Sequence, residues 1–283
     1  MTNKLIKIAL IGNTNAGKST LMNSMVGKTV SIINKKINTT QNIIKGIVNI
    51  NDTQIIFYDT PGSNFLNSNV SSQKKLKINI WTAIEDVDCI LYIIDVSKYN
   101  YKTICSDIKK INEVKKSIIV IFNKIDLIDN QFILPYIKSL NNLNLVEDFF
   151  NISAKYRKGL KELSIFIKSK AQYNKWIFDK GKISNKDNVF MANECTRNAI
   201  LKYLHQEIPY NIIVRNLLFK SLNNNGIKIK QSIDLTNMRY KPIILGKKGE
   251  TIKKIRECSQ NEISNIMKSK IHLYLQVNKL NDW

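Results

Sequence analysis

A large α/β doubly wound domain with a mixed sheet, followed by a smaller α+β domain, is the fold this sequence predicts, on three observations. Short apolar runs alternate with longer amphipathic ones from Lys4 to about Lys170. Two glycine-lysine loops, GNTNAGKST at residues 12 to 20 and GKKG at 246 to 249, each follow an apolar run and precede a helical pattern. Between the two regions, over AQYNKWIFDKGKISNKDN at 171 to 188, the periodicity lapses. A chain of 283 residues has room for two ordinary domains, each with its own core.

The first element, MTNKLIKIALIG, has lysines ahead of an apolar run; only IALI is uninterrupted and a glycine loop follows at once, so it reads as a strand and not a leader. GIVNI and QIIFYD are separated by Asn51 to Thr53 alone, too short for a helix, and form a hairpin in an otherwise parallel sheet. CILYIID, SIIVIFN and DFFNIS complete six strands, with helical patterns at about 18–26, 70–85, 102–116, 131–142 and 159–170. Loops then gather at the carboxyl ends of the parallel strands. We place the first domain at 1–172, a linker at 173–188 and the second domain at 189–283. In the second, VFMANECTRNAILKYLHQEI is a helix ended by Pro209, and NIIVRNLLFKSL and GIKIKQSIDL are strands joined through NNNG. A short helix, the GKKG loop, a helix from Glu250 and the strand IHLYLQV follow.

Composition excludes several classes. Cys89, Cys105, Cys195 and Cys258 are far apart and have no metal-ligand spacing, which argues against a disulfide framework or zinc site and fits a reducing compartment. No run approaches the apolar length of a membrane span. The formal charge of +22 points to an anionic partner, but Lys, Asn and Ile crowd the whole chain, so position has to carry that assignment. His205 and His272 stand outside any motif and read as structural or surface residues.

In the first loop Gly12, Asn13, Thr14, Asn15, Ala16, Gly17, Lys18, Ser19 and Thr20 follow a strand and open a helix, the context in which backbone N–H groups wrap a phosphate. Lys18 is placed for the β- and γ-phosphates and the Ser19 hydroxyl for Mg2+. Asp59, Thr60, Pro61 and Gly62, followed by Ser63, end the third strand, where Asp59 holds Mg2+ through water and the Gly62 N–H meets the γ-phosphate. In INTTQ, residues 37 to 41, a threonine completes the Mg2+ shell, with Thr40 preferred over Thr39.

Asn123, Lys124 and Asp126 of NKID end the fifth strand. The Asp126 carboxylate accepts two hydrogen bonds from guanine; adenine would leave a buried carboxylate unpaired, so GTP is selected over ATP. Ser153, Ala154 and Lys155 end the sixth strand, placing the Ala154 N–H for guanine O6.

The second loop, Gly246, Lys247, Lys248 and Gly249, lacks the serine and the length of the first. It precedes a helix whose Ile252, Ile255, Cys258, Ile263 and Ile266 share a face, leaving Lys253, Lys254 and Arg256 to point away. It reads as a clamp on a polynucleotide backbone, with bases read by an apolar groove that Ile244 and Ile252 help line.

The five motifs between residues 12 and 155, in this order, resemble a GTPase, and SIINKKINTTQN, FMANECTRNAILKYLHQEIPY and the second glycine loop make nearly the whole chain similar to the bacterial Era family. The resemblance implies a P-loop GTPase domain, then a type II KH domain. It implies binding of GTP and GDP and of small-subunit (16S) ribosomal RNA near its 3′ end, and a role in assembly of the small ribosomal subunit. It also implies a cytoplasmic monomer that associates peripherally with the inner face of the cell membrane. A ribosome-associated RNA adapter that senses GTP with negligible turnover is the alternative.

Gln41 stands where the family usually has arginine, Ser63 where a hydrophobic residue is usual, and the chain ends at Trp283, which is expected to reduce any contribution of the family's tail. No glutamine follows DTPG to orient water, so intrinsic turnover is expected to be slow, about 10^-4 to 10^-2 per second. Asn15 matches the asparagine that, in related GTPases, holds a monovalent cation, which makes K+ a second candidate cofactor beside Mg2+.

Overall fold

The structure is a computed structural model that describes residues 3–27, 30, 43–62, 74–204, 212–222 and 225–280, and of 74–77, 79 and 130 the backbone alone. It divides into two compact units, Met1–Asn185 and Lys186–Trp283.

The first unit runs β1 (Lys4–Ile11), α1 (Lys18–Val26), β2 (Ile44–Ile50), β3 (Thr53–Asp59), α2 (Lys74–Glu85), β4 (Cys89–Asp95) and α3 (Tyr101–Ile111). It continues with β5 (Ser117–Asn123), α4 (Ile133–Asn141), β6 (Asp148–Ile152), α5 (Leu160–Lys170) and β7 (Gln172–Tyr173). The strands are ordered β2-β3-β1-β4-β5-β6. β2 and β3 are the antiparallel hairpin, and the four pairings from β3 to β6 are parallel. β3 and β4 are buried at every residue because helices cover both sheet faces, which is why they read as unbroken apolar runs. Between β4 and α3, Asn100 caps the helix by accepting from the Thr103 N–H.

The segment expected to be a linker is instead held on the first unit up to Asn185. β4 pairs with β1 only over Ile8–Ile11, and β7 takes the vacant stretch by pairing antiparallel with Lys4 and Leu5. The Trp176 indole N–H donates to the Lys4 and Asp52 carbonyls. The fully buried Gln54 side chain on β3 accepts from the N–H groups of Ile177 and Phe178 and donates to the Phe178 carbonyl. Ile183 O accepts from Ile47 N–H at 2.9 Å, Ser184 bridges Gly46, and Asn185 bonds Lys45 with side chain and backbone. This strap lies along the outer edge of β2.

The second unit is α6 (Asn188–Tyr203), β8 (Ile212–Ser221), β9 (Gly226–Leu235), the short α7 (Lys241–Leu245), α8 (Glu250–Met267) and β10 (Lys270–Lys279). Asp187 caps α6 by accepting from Phe190 N–H. The sheet is ordered β10-β9-β8, with β9 parallel to β10 and antiparallel to β8. Ile229, Ile233 and Leu235 of β9 and Ile271 and Leu273 of β10 pack with residues of α6 and α8, so the helices cover one sheet face.

Candidate functional site

The first glycine loop leaves the buried end of β1. Gly12 has φ 148°, and a Cβ there would lie 2.2 Å from the Ile93 carbonyl oxygen on β4, so only glycine fits. Asn15 adopts the left-handed conformation at φ 64°, which turns the loop back on itself. Ala16 N–H donates to Asn13 O, closing that turn. Gly17, at φ 101°, precedes α1 without a side-chain cap, and no acidic residue occupies the first helical turn. The helix therefore presents N–H groups and positive potential to the loop, with Thr20 inside its first turn.

Lys18 is 7% exposed and donates to the Gly12 and Asn13 carbonyls at 2.8 and 2.9 Å. Burial lowers its pKa to about 8, a shift that the nearby Asp59 carboxylate opposes. The Ser19 hydroxyl donates to Asp59 Oδ2 at 2.6 Å, bringing the first loop and the end of β3 together. A hydroxyl beside a carboxylate is a hard-oxygen donor set suited to Mg2+. Among the described residues no group of three or more His, Cys, Asp or Glu could hold a metal alone, so an ion here would need ligands beyond side chains of those four types, phosphate and water oxygens among them.

Thr60 donates to Leu10 O at 2.7 Å, and Pro61 leads to Gly62, which abuts the loop: a Cβ there would lie 2.2 Å from Thr14 Oγ1. That Thr14 oxygen is buried without a hydrogen-bond partner among the described residues. Thr39, Thr40, Gln41, Ser63 and His205 lie outside the described residues.

Asn123, at the end of β5, joins two loops. Its Nδ2 donates to Ala16 O at 2.8 Å and its Oδ1 accepts from Ala154 N–H at 3.0 Å. The Ala154 N–H, assigned to guanine O6 from the sequence, is thus taken by Asn123. The Ala154 carbonyl accepts from Ser24 Oγ of α1 at 2.8 Å, so this peptide is held on both sides. Ser153 Oγ donates to Asp126 Oδ1 at 2.5 Å. Asp126 is exposed, contrary to the buried carboxylate expected: the short 3-10 turn after Lys124 carries it to the rim. A hydrogen bond to this carboxylate gains strength only where a ligand excludes water from it. Lys155 is also exposed and lies over the Tyr156 ring.

Two participants were missed. Asp95, at the end of β4, accepts from Lys124 Nζ at 2.5 Å and from Ser97. Burial alone would raise the Asp95 pKa, but the Lys124 and Ser97 bonds outweigh it and hold the carboxyl below its ordinary value. The signal was visible, an apolar strand ending in aspartate one position before a turn. Ser24, in contrast, sits inside a helix with nothing local to mark it.

In the second unit Gly246 has φ 72°, and a Cβ would lie 2.2 Å from Thr251 Oγ1, so the GKKG loop is folded against the first turn of α8. Lys247 and Lys248 are exposed, the latter in the left-handed conformation at φ 49°. Gly249, at φ 81°, leads into α8. Lys253 and Lys254 are exposed as expected. Arg256 is half-buried and engages Glu257 and Gln260, so it does not point freely away. Ile244 is fully buried in the core with Ile255 and cannot line a groove; its neighbour Ile243, 51% exposed, has the surface position.

Residues 7–124 match the family of 50S ribosome-binding GTPases, and residues 207–283 match the KH domain. A GTPase Era from Rickettsia prowazekii (strain Madrid E) is 35% identical over 282 residues, covering 98% of this chain and 94% of its own. One from Ehrlichia ruminantium (strain Gardel) is 32% identical over 275 residues, covering 97% and 92%. The crystal structure of a variant of Aquifex aeolicus Era bound to GDP.AlF4- matches at a TM-score of 0.88 and 30% identity, over 99% of this chain and 95% of that one. Another, of Era in complex with MgGDPNP and nucleotides 1506–1542 of 16S ribosomal RNA, matches at a TM-score of 0.86, again with 30% identity and the same coverage.

Proposed function

The chain belongs to the Era family of GTPases, and we propose that it couples GTP hydrolysis in its first unit to binding of small-subunit ribosomal RNA, near the 3′ end, by its second, in assembly of the small ribosomal subunit. As a family member it is a GTPase that binds GTP and releases GDP and phosphate. The observation that carries the reading is the convergence of Lys18, Ser19 and Asp59 on one loop, stitched through Asn123 to the region of Asp126.

The reaction is in-line attack of water on the γ-phosphorus, driven by positioning and charge neutralisation. Lys18 exchanges its two carbonyl acceptors for phosphate oxygens, and the N-terminus of α1 adds field at the same place. Mg2+, held by Ser19 and Asp59 with Thr40, would neutralise charge on the β- and γ-phosphates. Thr39 precedes Thr40 in INTTQ, a segment that would switch between two states as that ligand is gained and lost with the γ-phosphate. Gly62 reports the γ-phosphate to the segment that follows it, from Ser63 on. Asp126 and Ser153 read guanine, with Lys124 anchored by Asp95 and Lys155 at the rim. K+ near Asn15 would supply a further positive charge; equal hydrolysis rates in potassium and sodium would remove it.

In the second unit Gly246, Lys247, Lys248 and Gly249, with Lys253, Lys254 and Arg256, hold the RNA backbone. We place the protein in the cytoplasm with peripheral membrane contact; among the described residues no helix is long and apolar enough to cross a membrane. The adapter reading, with negligible turnover, is not favoured for a member of a GTPase family. Single-turnover hydrolysis measured with and without small-subunit RNA tests the coupling. RNA is expected to change the rate and a GTP analogue to change RNA affinity. If neither changes, the units act independently and the coupling is wrong.

A further inference from the structure

The sheet of the second unit has one face covered by helices, and the residues of the other face are set by strand register. Lys220 of β8 is opposite Lys228 of β9, which is opposite His272 of β10. In the next row Lys230 is opposite Tyr274, and Lys270 lies at the near end of β10 on the same face by alternation. Lys220, Lys230 and Lys270 are exposed, and Tyr274 is 53% exposed. The Lys228 ammonium lies 5.6 Å from the centre of the Tyr274 ring, which independently places both on this face.

Like charges placed directly opposite one another destabilise a sheet. Here nothing on the strands offsets them. β8, β9 and β10 carry six Lys and Arg residues, and Asp234 is their only carboxylate. Asp234 is buried further along the face and is engaged by Arg215 and Ser232. Among the described residues of these strands, the lysine end is therefore a cationic row with no carboxylate opposite it, around an aromatic ring. Its chemical complement is a polyanion that also carries flat apolar groups, and a polynucleotide has both.

We propose that this open sheet face is a second RNA-contact surface of the chain, separate from the GKKG loop. The RNA backbone runs over Lys220, Lys228, Lys230 and Lys270 while an unstacked base packs on Tyr274. The inference rests on the reading that the second unit binds RNA at GKKG, and it extends that contact to the far side of the same unit. Longer RNA gains from it and a strand just long enough for the loop does not. A phosphate contact of this kind adds affinity without reading sequence, whereas stacking on Tyr274 favours single-stranded or bulged nucleotides.

The test uses the full chain and two probes: a single strand of about six nucleotides, enough for the four that such a loop clamps, and the small-subunit RNA fragment 1506–1542. Fluorescence anisotropy over a salt series compares wild type with Lys228→Gln/Lys230→Gln/Tyr274→Leu and with Lys247→Gln/Lys248→Gln. The sheet-face variant is expected to bind the long fragment about tenfold more weakly and to lower its salt slope by about 1.4, roughly 0.7 for each lysine that no longer neutralises a phosphate. Its affinity for the short strand and its basal GTP hydrolysis stay at wild-type values. Wild-type binding of both probes by this variant, or equal weakening on both, overturns the surface. Wild-type binding of both probes by the loop variant instead overturns the GKKG reading. Photo-crosslinking of 4-thiouridine RNA to the unmodified protein supplies a readout free of any folding defect. Crosslinks at Tyr274 are expected with the long fragment, and their absence counts against the surface.

Discussion

The two glycine-lysine loops present their lysines in opposite ways. Lys18 is buried, bonded to two loop carbonyls, and its loop is tied by Asn123 to a second segment more than a hundred residues away. Lys247 and Lys248 are exposed on a loop braced against the first turn of α8 and bonded back to α7. A buried, pre-positioned lysine suits a small ligand whose charge is enclosed and whose geometry must be fixed for chemistry. An exposed pair suits a polymer that slides along a surface and is held by many weak contacts. Burial, more than the shared Gly-Lys pattern, is what sets the two loops apart, and it is on burial that the proposed assignment of one to a nucleotide and the other to a polynucleotide rests.

The strongest way to break this contrast is Lys18→Ala. It should lower GTP affinity by about 100-fold, the loss of charge-assisted bonds worth roughly 3 kcal/mol, while binding of a short RNA strand stays unchanged. Titration calorimetry with GTP analogue reads the first and anisotropy the second; an equal loss of both would mean that the loops are not independent sites. Next in size, Lys247→Ala/Lys248→Ala should weaken the short RNA about tenfold and reduce its salt slope by about 1.4, with GTP affinity intact.

A pH series sharpens the difference in burial. Lys18 titrates at about 8 in the empty protein, below its ordinary value because burial disfavours the charge. A bound triphosphate restores the proton, so GTP affinity should fall as pH rises above about 8, by at most about tenfold per unit, with proton uptake seen as a buffer-dependent enthalpy. The sign for folding is opposite. The empty fold binds fewer protons than the unfolded chain between about 8 and 10.5, so this residue's contribution makes it more stable as pH rises through that window. Pre-organisation of the base loop by Ser24 is the smallest effect. Ser24→Ala removes one bond to the Ala154 carbonyl and should cost about 1 kcal/mol of GTP affinity, roughly fivefold. An unchanged affinity would show that Asn123 alone fixes that peptide.

Most of both sheets was legible because the strands bury side chains in regular patterns: continuous in β3 and β4, alternating in β10. The first glycine loop was legible as a tight turn between a strand and a helix, because Gly12 and Gly17 take backbone angles that other residues avoid. The strap after Tyr173 was not, since it has no periodicity of its own. It is held by side chains that belong to other segments, above all Gln54, which in the sequence looks like one polar residue in an apolar strand. Nor did spacing show that Ala154 N–H is spent on Asn123, or that Ile244 turns inward while Ile243 stays out. Those depend on which neighbour across the fold reaches a group first.

The strap has a further consequence for how this sheet is kept to itself. β2 lies at the end of the strand order, and an unpaired edge strand is a template on which another chain can add a strand. Ile183, Ser184 and Asn185 occupy that edge at Ile47, Gly46 and Lys45. A fragment cut after residue 172 would expose it, and would leave the buried Gln54 amide and the Lys4 and Asp52 carbonyls without the partners that Trp176, Ile177 and Phe178 now provide. The stretch that looks in the sequence like a mere connector is thus a guard against self-association of the domain before it.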